Sequence, residues 1–373
     1  MSRPLGLYVH IPFCLRKCAY CDFPSYPDLL GQREAYTRAL IREIESRGER
    51  LGHPGADTLF IGGGTPSLIF PAQMADILKA LQAAFPWDEN MEATCEVNPE
   101  TLTPDFLAAL IAGGINRLSL GAQASQPHLL RTIGRGHSWE QVISGVRMAR
   151  EAGIPSINLD IMMGLPGQTA QDMAQTMEAA LDLAPEHLSC YSLILEEGTP
   201  LFDRATAGAV SLPDEDSLLL MEALVKEKLM EAGYHHYEVS NFARPGHACR
   251  HNLNCWQYED YLGFGAAAAG FYHGIRRKNP EILADYLNGD PPEENRVSPE
   301  ESRFEQVMLG FRMTAGLDAA AFEKRQGMTL MEAFGRPISK HLSGGLLAWE
   351  EDRLRLTGQG EDLMNRVLVD FLP

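Results

Sequence analysis

The sequence predicts an α/β fold, a partial (β/α)6 barrel of the TIM type followed by a small α+β unit. Three observations carry this. Short β-rich runs alternate with stretches of helical periodicity, as consecutive βα units around a parallel sheet do. Six such strands can be read, which makes a partial barrel. The unexpected polar and glycine residues fall just after those strands, where parallel barrels carry their functional groups.

In chain order, strands are expected near 5–12, 58–62, 92–98, 117–122, 156–161 and 187–194. Helices fit near 32–47, 71–84, 103–112, 138–152 and 169–183, several opened by a Thr or Ser N-cap and two closed at Gly113 and Gly153. An amphipathic helix over about 214–232 leads to YHHYEVSNFA, whose alternation suggests one further edge strand. The next segment, ARPGHACRHNLNCWQYEDYLGFGAAAAG, is rich in His, aromatic and Gly residues and predicts irregular, packed structure. Residues 288–300, NGDPPEENRVSPE, read as an acidic linker between a core of residues 1–287 and a C-terminal domain of residues 301–373. In that domain, SRFEQVMLGFRM looks helical, and the last stretch suggests a hairpin and a terminal helix.

Composition excludes several function classes. At 373 residues with 45% hydrophobic content, the chain can bury a large core. No apolar run reaches the length of a membrane span, and a signal peptide's layout is absent, so a cytoplasmic protein is expected. Fifty acidic against 32 basic residues give a formal charge of -18, which would repel a phosphate backbone; nucleic acid is not an expected partner. Seven cysteines, three of them clustered, fit a reducing compartment rather than a secreted disulfide framework.

Those three, Cys14, Cys18 and Cys21, form CxxxCxxC in the loop after the first strand. Three thiolates from one loop would hold three irons of a [4Fe-4S] cluster and leave the fourth open to another ligand. The alternatives are buried cysteines serving as ordinary hydrophobes and a zinc site completed by His10 or a distant cysteine, although the second ligand pair usual for structural zinc is missing. Later strand ends supply Gly63, Gly64 and Thr65, then Glu96 and Asn98, then Gln123, with Asp160 inside an apolar run where a buried carboxylate needs a partner. The glycines permit close backbone approach, and their bland reading is a tight βα turn. For Glu96 the bland reading is a surface salt bridge, and for Arg135 an exposed helix-end arginine.

The loop, with Tyr20 before its last cysteine, resembles that of the radical S-adenosylmethionine (SAM) superfamily. YVHIPFC, GGGTP, EVNP, GAQ and GLPGQT further resemble the branch containing oxygen-independent coproporphyrinogen oxidase and the haem chaperone family HemW. The resemblance runs from Tyr8 to the C-terminus. It implies a radical SAM core, a winged-helix-like C-terminal domain, and a cluster on Cys14, Cys18 and Cys21. It also implies SAM contacts from Tyr8, Tyr20, Phe23, Gly63, Gly64, Thr65 and Glu96, and weaker ones from Gln123, Arg135 and Asp160 that match contacts to a second SAM. In that family the reduced cluster passes an electron to the sulfonium, giving methionine and a 5′-deoxyadenosyl radical, so an electron donor is implied.

Two departures set the branch. The oxidase carries a fourth cysteine two residues after the third, and here that position is Phe23; only 13 residues precede Cys14, little room for the segment the oxidase uses. Oxidase activity is therefore disfavoured, leaving enzyme status open. His251-Asn-Leu-Asn-Cys-Trp256 resembles the HNxxYW motif of the haem chaperones, with Cys255 in place of tyrosine. The resemblance implies haem as cargo on His251 or Cys255, with His247 and Cys249 as substitutes. It also implies haem-requiring acceptor proteins, membrane-associated respiratory enzymes among them. The alternative is a radical SAM enzyme acting on a tetrapyrrole, as an oxidase or a methyltransferase.

Overall fold

The computed structural model, which describes residues 4–373, contains a twelve-stranded sheet curled into an open barrel. β1 (Leu5–Ile11), β2 (Thr58–Gly63), β3 (Glu92–Val97), β4 (Arg117–Gln123), β5 (Ser156–Met163) and β6 (His187–Ser192) lie parallel and in chain order. The chain then returns as an antiparallel pair, β7 (His235–Glu238) and β8 (Asn241–Ala243), with β8 against β6 and β7 at the edge. On the far side of β1 lies β9 (Asp260–Phe264), parallel to it with Leu5 opposite Asp260 and Val9 opposite Phe264. The antiparallel strands β10 (Ala269–Tyr272), β11 (Ile275–Lys278) and β12 (Glu293–Arg296) extend that flank.

The period of two in the strands builds the wall. Leu7, Val9, Leu59, Ile61, Leu118, Leu120, Leu159 and Ile161 are all buried in the layer between sheet and helices. The alternate residues face the barrel interior, and in β4 to β6 these are polar. Helix starts follow the expected caps. The Asp172 N–H donates to Thr169 Oγ1 at 3.1 Å while the Thr169 N–H donates to Asp172 Oδ2 at 2.9 Å, a reciprocal capping box. Gly113 caps the helix Pro104–Ala112, and Gly153, at φ 93°, follows the helix Trp139–Glu151.

The C-terminal unit packs three helices, Pro299–Gly310, Ala319–Gln326 and Leu330–Ser343, against a small sheet of β13 (Leu317–Asp318), β14 (Leu347–Glu350) and β15 (Arg353–Leu356). Its own core gathers Val307, Phe311, Phe322, Ile338, Leu354 and Phe371. Helices followed by a hairpin give the winged-helix-like shape. Arg312 stacks 4.4 Å over the Trp256 ring, and Arg325 pairs with Glu259 at 2.9 Å, fixing this unit to the segment around the HNxxxW motif. Among the described residues no helix is long and apolar enough to cross a membrane.

Three expectations need correction. The segment expected to be irregular holds the helix Arg250–Trp256 and the strands β9 and β10. β9 adds a seventh parallel strand, and its Gly263 is pressed so close to β10 that a Cβ would lie 2.0 Å from the Ala269 carbonyl oxygen, which is why the run reads as glycine-rich rather than β-prone. YHHYEVSNFA is a hairpin rather than one strand, because the chain reverses at residues 239–240. Residues 288–300 contain β12, paired with β11 through Ile275 opposite Arg296. The first three residues of the expected core lie outside the described residues.

Candidate functional site

A cavity of about 800 Å³ occupies the barrel interior and opens at the carboxyl ends of the parallel strands. The loop after β1 forms its rim. The Tyr26 N–H donates to the Pro12 carbonyl at 2.7 Å, the Ala19 N–H to Ile133 at 2.9 Å and the Leu201 N–H to Ala19 at 2.8 Å, so the cysteine loop is tied at its base and at its middle.

Cys14, Cys18 and Cys21 are free thiols lining this cavity. Two of the sulfurs receive donors: Thr65 Oγ1 points to Cys14 Sγ at 3.7 Å, and an Arg135 amino group to Cys18 Sγ at 3.8 Å. Such donors favour thiolates. Burial raises the Cys14 thiol and pushes Cys21 up to about 11, so iron binding has to displace protons. A cubane attaches each thiolate to a separate iron, so three spread sulfurs with donors fit it.

Around these thiols stand most of the residues singled out from the sequence. Tyr20, Phe23, Gly63, Gly64, Thr65, Glu96, Gln123, Arg135 and Asp160 all line the cavity. Gly64 lies against the strand leading to the cysteines, its N–H on the Ile11 carbonyl at 2.8 Å. The Gly63 N–H donates to Glu96 Oε2 at 3.1 Å. Glu96 faces the cavity and makes no salt bridge among the described residues, which removes its bland reading. Arg135 also donates to the Gly121 carbonyl at 2.7 Å, so it is a structural strut and not an exposed helix end. Gln123 has φ 64° beside a break in register between β4 and β5, and it accepts from the Tyr191 hydroxyl at 3.0 Å. A non-glycine residue held there is strained, as functional residues often are.

Asp160 finds the partners that its burial demanded. Asn158 Nδ2 donates to Asp160 Oδ1 at 2.7 Å, and Ser119 Oγ lies 3.2 Å from Oδ2. His187 Nδ1 lies 2.6 Å from Asn158 Oδ1 and Tyr237 closes the far side at 2.8 Å from Nε2. The inner polar residues Arg117, Ser119, Asn158 and Ser189 were missed in the sequence. For all but Ser189 the signal was available, since counting back by two from Gln123 and Asp160 lands on Ser119, Arg117 and Asn158.

Tyr8, His251 and Cys255 are not in the cavity lining. Tyr8 is half-buried, with its hydroxyl 2.9 Å from His10 Nδ1. His251 plugs the opposite end of the barrel, its Nδ1 2.9 Å from the Thr58 hydroxyl, its N–H on Glu92 at 2.9 Å and its ring against Phe60. Burial, then Arg117, lowers its pKa to about 4, so it is neutral at physiological pH. Burial pushes the Cys255 thiol up to about 11. Phe23 is 64% exposed on the rim.

The Glu96 carboxyl is raised to about 8 by burial, then by Asp160, against the opposing hydrogen bond from Gly63. A carboxyl raised in the folded state binds its proton more tightly there, so its contribution is lost as pH rises through that value. The buried His137 and His251, lowered from 6.5 to about 4, act oppositely and only below 6.5. Between pH 6.5 and 8 the cofactor-free protein should therefore lose stability with rising pH. Glu96→Gln should flatten that slope in thermal melts, and an unchanged slope would show that Glu96 is already ionised.

An open parallel barrel whose first strand delivers three thiols, followed by a glycine turn and inward carboxylates, defines the radical SAM class. A radical SAM superfamily profile matches residues 8–180, and a HemN C-terminal domain profile matches residues 297–363. The heme chaperone HemW of Bacillus subtilis (strain 168) is 36% identical over 372 residues, covering 98% of both chains. That of Escherichia coli (strain K12) is 33% identical over 378 residues, covering 99% of this chain and 98% of the relative. Among solved structures, the coproporphyrinogen III oxidase HemN of Escherichia coli, described as a radical SAM enzyme, superposes with a TM-score of 0.86 at 25% identity, covering 99% of this chain and 90% of that one. The chain belongs to the HemW family of the radical SAM superfamily, and such membership implies a [4Fe-4S] cluster and SAM.

Proposed function

We propose that the protein is a cytoplasmic haem chaperone that binds a [4Fe-4S] cluster, SAM and haem, and passes haem to acceptor haemoproteins, membrane-associated respiratory enzymes among them. The observation carrying this reading is near-full-length identity above 30% to heme chaperones from separate bacteria. Cys14, Cys18 and Cys21 would hold the cluster, which supplies an open iron for the amino and carboxylate groups of SAM. Gly63 and Gly64 give SAM close backbone approach, Glu96 offers an acceptor to its ammonium or ribose, and Tyr20, Thr65 and Arg135 position the loop and ligand. Gln123 and Asp160 lie further along the same wall, where a second SAM would reach them.

In this reading residues 1–287 are the radical SAM core, 301–373 the C-terminal domain of the family, and 288–300 the linker between them, which also pairs with the sheet through β12. Haem ligation by His251 requires the helix Arg250–Trp256 to shift, because His251 is locked on Thr58 and Glu92, whereas Cys255 is half-buried. An electron donor would approach the exposed rim at Phe23. The cavity's complete set of inward polar residues favours one other reading, a radical SAM enzyme acting on a tetrapyrrole.

The test is an anaerobic haem titration of cluster-reconstituted protein beside a coproporphyrinogen III turnover assay on the same sample. Saturable binding, weakened about tenfold or more by His251→Ala and without turnover, is the expected result; a tenfold change corresponds to about 1.4 kcal/mol. Turnover, or absence of saturable haem binding, would reject the chaperone reading.

A further inference from the structure

The barrel holds a buried cation that the reading above does not use. Arg117, the first residue of β4, is 3% exposed and lines the cavity two inward positions below Gly121. Its Nε has no hydrogen-bond partner, and among the described residues no carboxylate lies within ion-pair distance of its guanidinium. Of the groups whose field reaches it, Cys249 and Tyr237 are raised by burial and stay neutral, and the two carboxylates, Glu92 and Asp160, are engaged elsewhere. Glu92 accepts the N–H groups of Arg250 and His251, each at 2.9 Å, and Asp160 accepts from Ser119 and Asn158. Thr94, directly opposite Arg117 on β3, also has a buried hydroxyl without a partner. Two buried groups without partners, one of them charged, thus sit at paired positions of adjacent strands, and of the two only Arg117 lines the cavity. A desolvated cation is costly unless something neutral in the fold or anionic in a ligand completes it.

We propose that this level is an anion subsite that takes a carboxylate of whatever ligand fills the inner cavity, with Arg117 as a forked clamp. It lies below the strand ends where the cysteines stand, so the carboxylate of a SAM on the cluster is not its occupant. Two sources share the chemistry: the amino-acid end of a second SAM, and a propionate of a tetrapyrrole. The subsite itself rests on the cavity alone; only the second source depends on the haem reading.

The test compares wild-type, Arg117→Met, Arg117→Lys and Thr94→Val full-length proteins by thermal unfolding in sodium propionate against sodium chloride of equal ionic strength. A ligand of the folded state raises the midpoint by mass action. Wild type should respond saturably, and Thr94→Val, which alters no lining residue, should respond as wild type does. Arg117→Lys, which keeps the charge and loses the fork, should respond with roughly tenfold lower affinity. Arg117→Met should lose the response, because the cation is gone. Equal responses in wild type and Arg117→Met, or no response in wild type, would overturn the subsite. If Arg117→Met does not fold, Arg117→Lys decides in its place, with Thr94→Val as the control. Titrations with SAM, and with hemin against its dimethyl ester, assign the source. Loss of a second SAM equivalent in Arg117→Lys points to the amino acid, and a roughly tenfold preference for free hemin that this variant narrows points to the propionate. Hemin that binds nowhere removes the haem reading and leaves the propionate result intact.

Discussion

Alanine at Cys14, Cys18 or Cys21 should abolish the cluster, read as loss of iron, sulfide and the charge-transfer absorbance after anaerobic reconstitution. Each thiol is one of only three in the loop, and no other cysteine lines the cavity: Cys95, Cys190 and Cys249 are buried in the packed fold and Cys255 sits in the helix at the opposite end. A cluster left with two thiolates has lost one of its three protein ligands. The fold should survive, because the loop's anchoring hydrogen bonds are made by backbone groups at Ala19, Pro12 and Tyr26 rather than by the sulfurs. Unchanged iron content in all three variants would show that the thiols are not ligands.

Gly64→Ala should separate the strand frame from the cluster loop. A Cβ at this position would lie 2.6 Å from the Phe13 carbonyl oxygen, 3.0 Å from the Ile11 carbonyl oxygen and 3.0 Å from the Phe13 nitrogen, all backbone atoms of the segment that leads into Cys14. Backbone cannot rotate aside as a flexible side chain does, so the loop has to shift. Overpacking of this kind costs about 2 kcal/mol, roughly thirtyfold in an equilibrium. The expected result is a large fall in reconstituted iron with little change in far-ultraviolet circular dichroism. Gly55→Ala, whose Cβ would meet only the Pro86 carbonyl oxygen at 3.5 Å, is the control and should retain the cluster. Equal iron content in the two variants would mean that the loop yields freely.

How much was readable depended on where the physics is local. The six principal strands and their helices were legible because alternation and capping are properties of short stretches, as the Thr169 and Asp172 box illustrates. The strand-end rule then located Gly64, Glu96, Gln123 and Asp160 in one cavity before any coordinate was known. β9 was hidden because its glycines answer to the closeness of β10 and not to β propensity. His251 carries a suggestive motif, yet its surroundings, Thr58, Glu92 and Phe60, come from distant strands and place it at the barrel's other end.

By itself, therefore, the sequence determined the three-thiol loop, the βα order and, through Phe23 and the HNxxxW segment, the branch of the family. These are matters of spacing and of residue type along the chain. Only the tertiary structure decided that Arg117 and Thr94 stand opposite each other without partners, that Arg135 reaches both Gly121 and Cys18, and that Glu96 is pushed up to about 8. Burial, pairing and electrostatic field depend on which strands become neighbours, and that is settled only when the whole sheet closes.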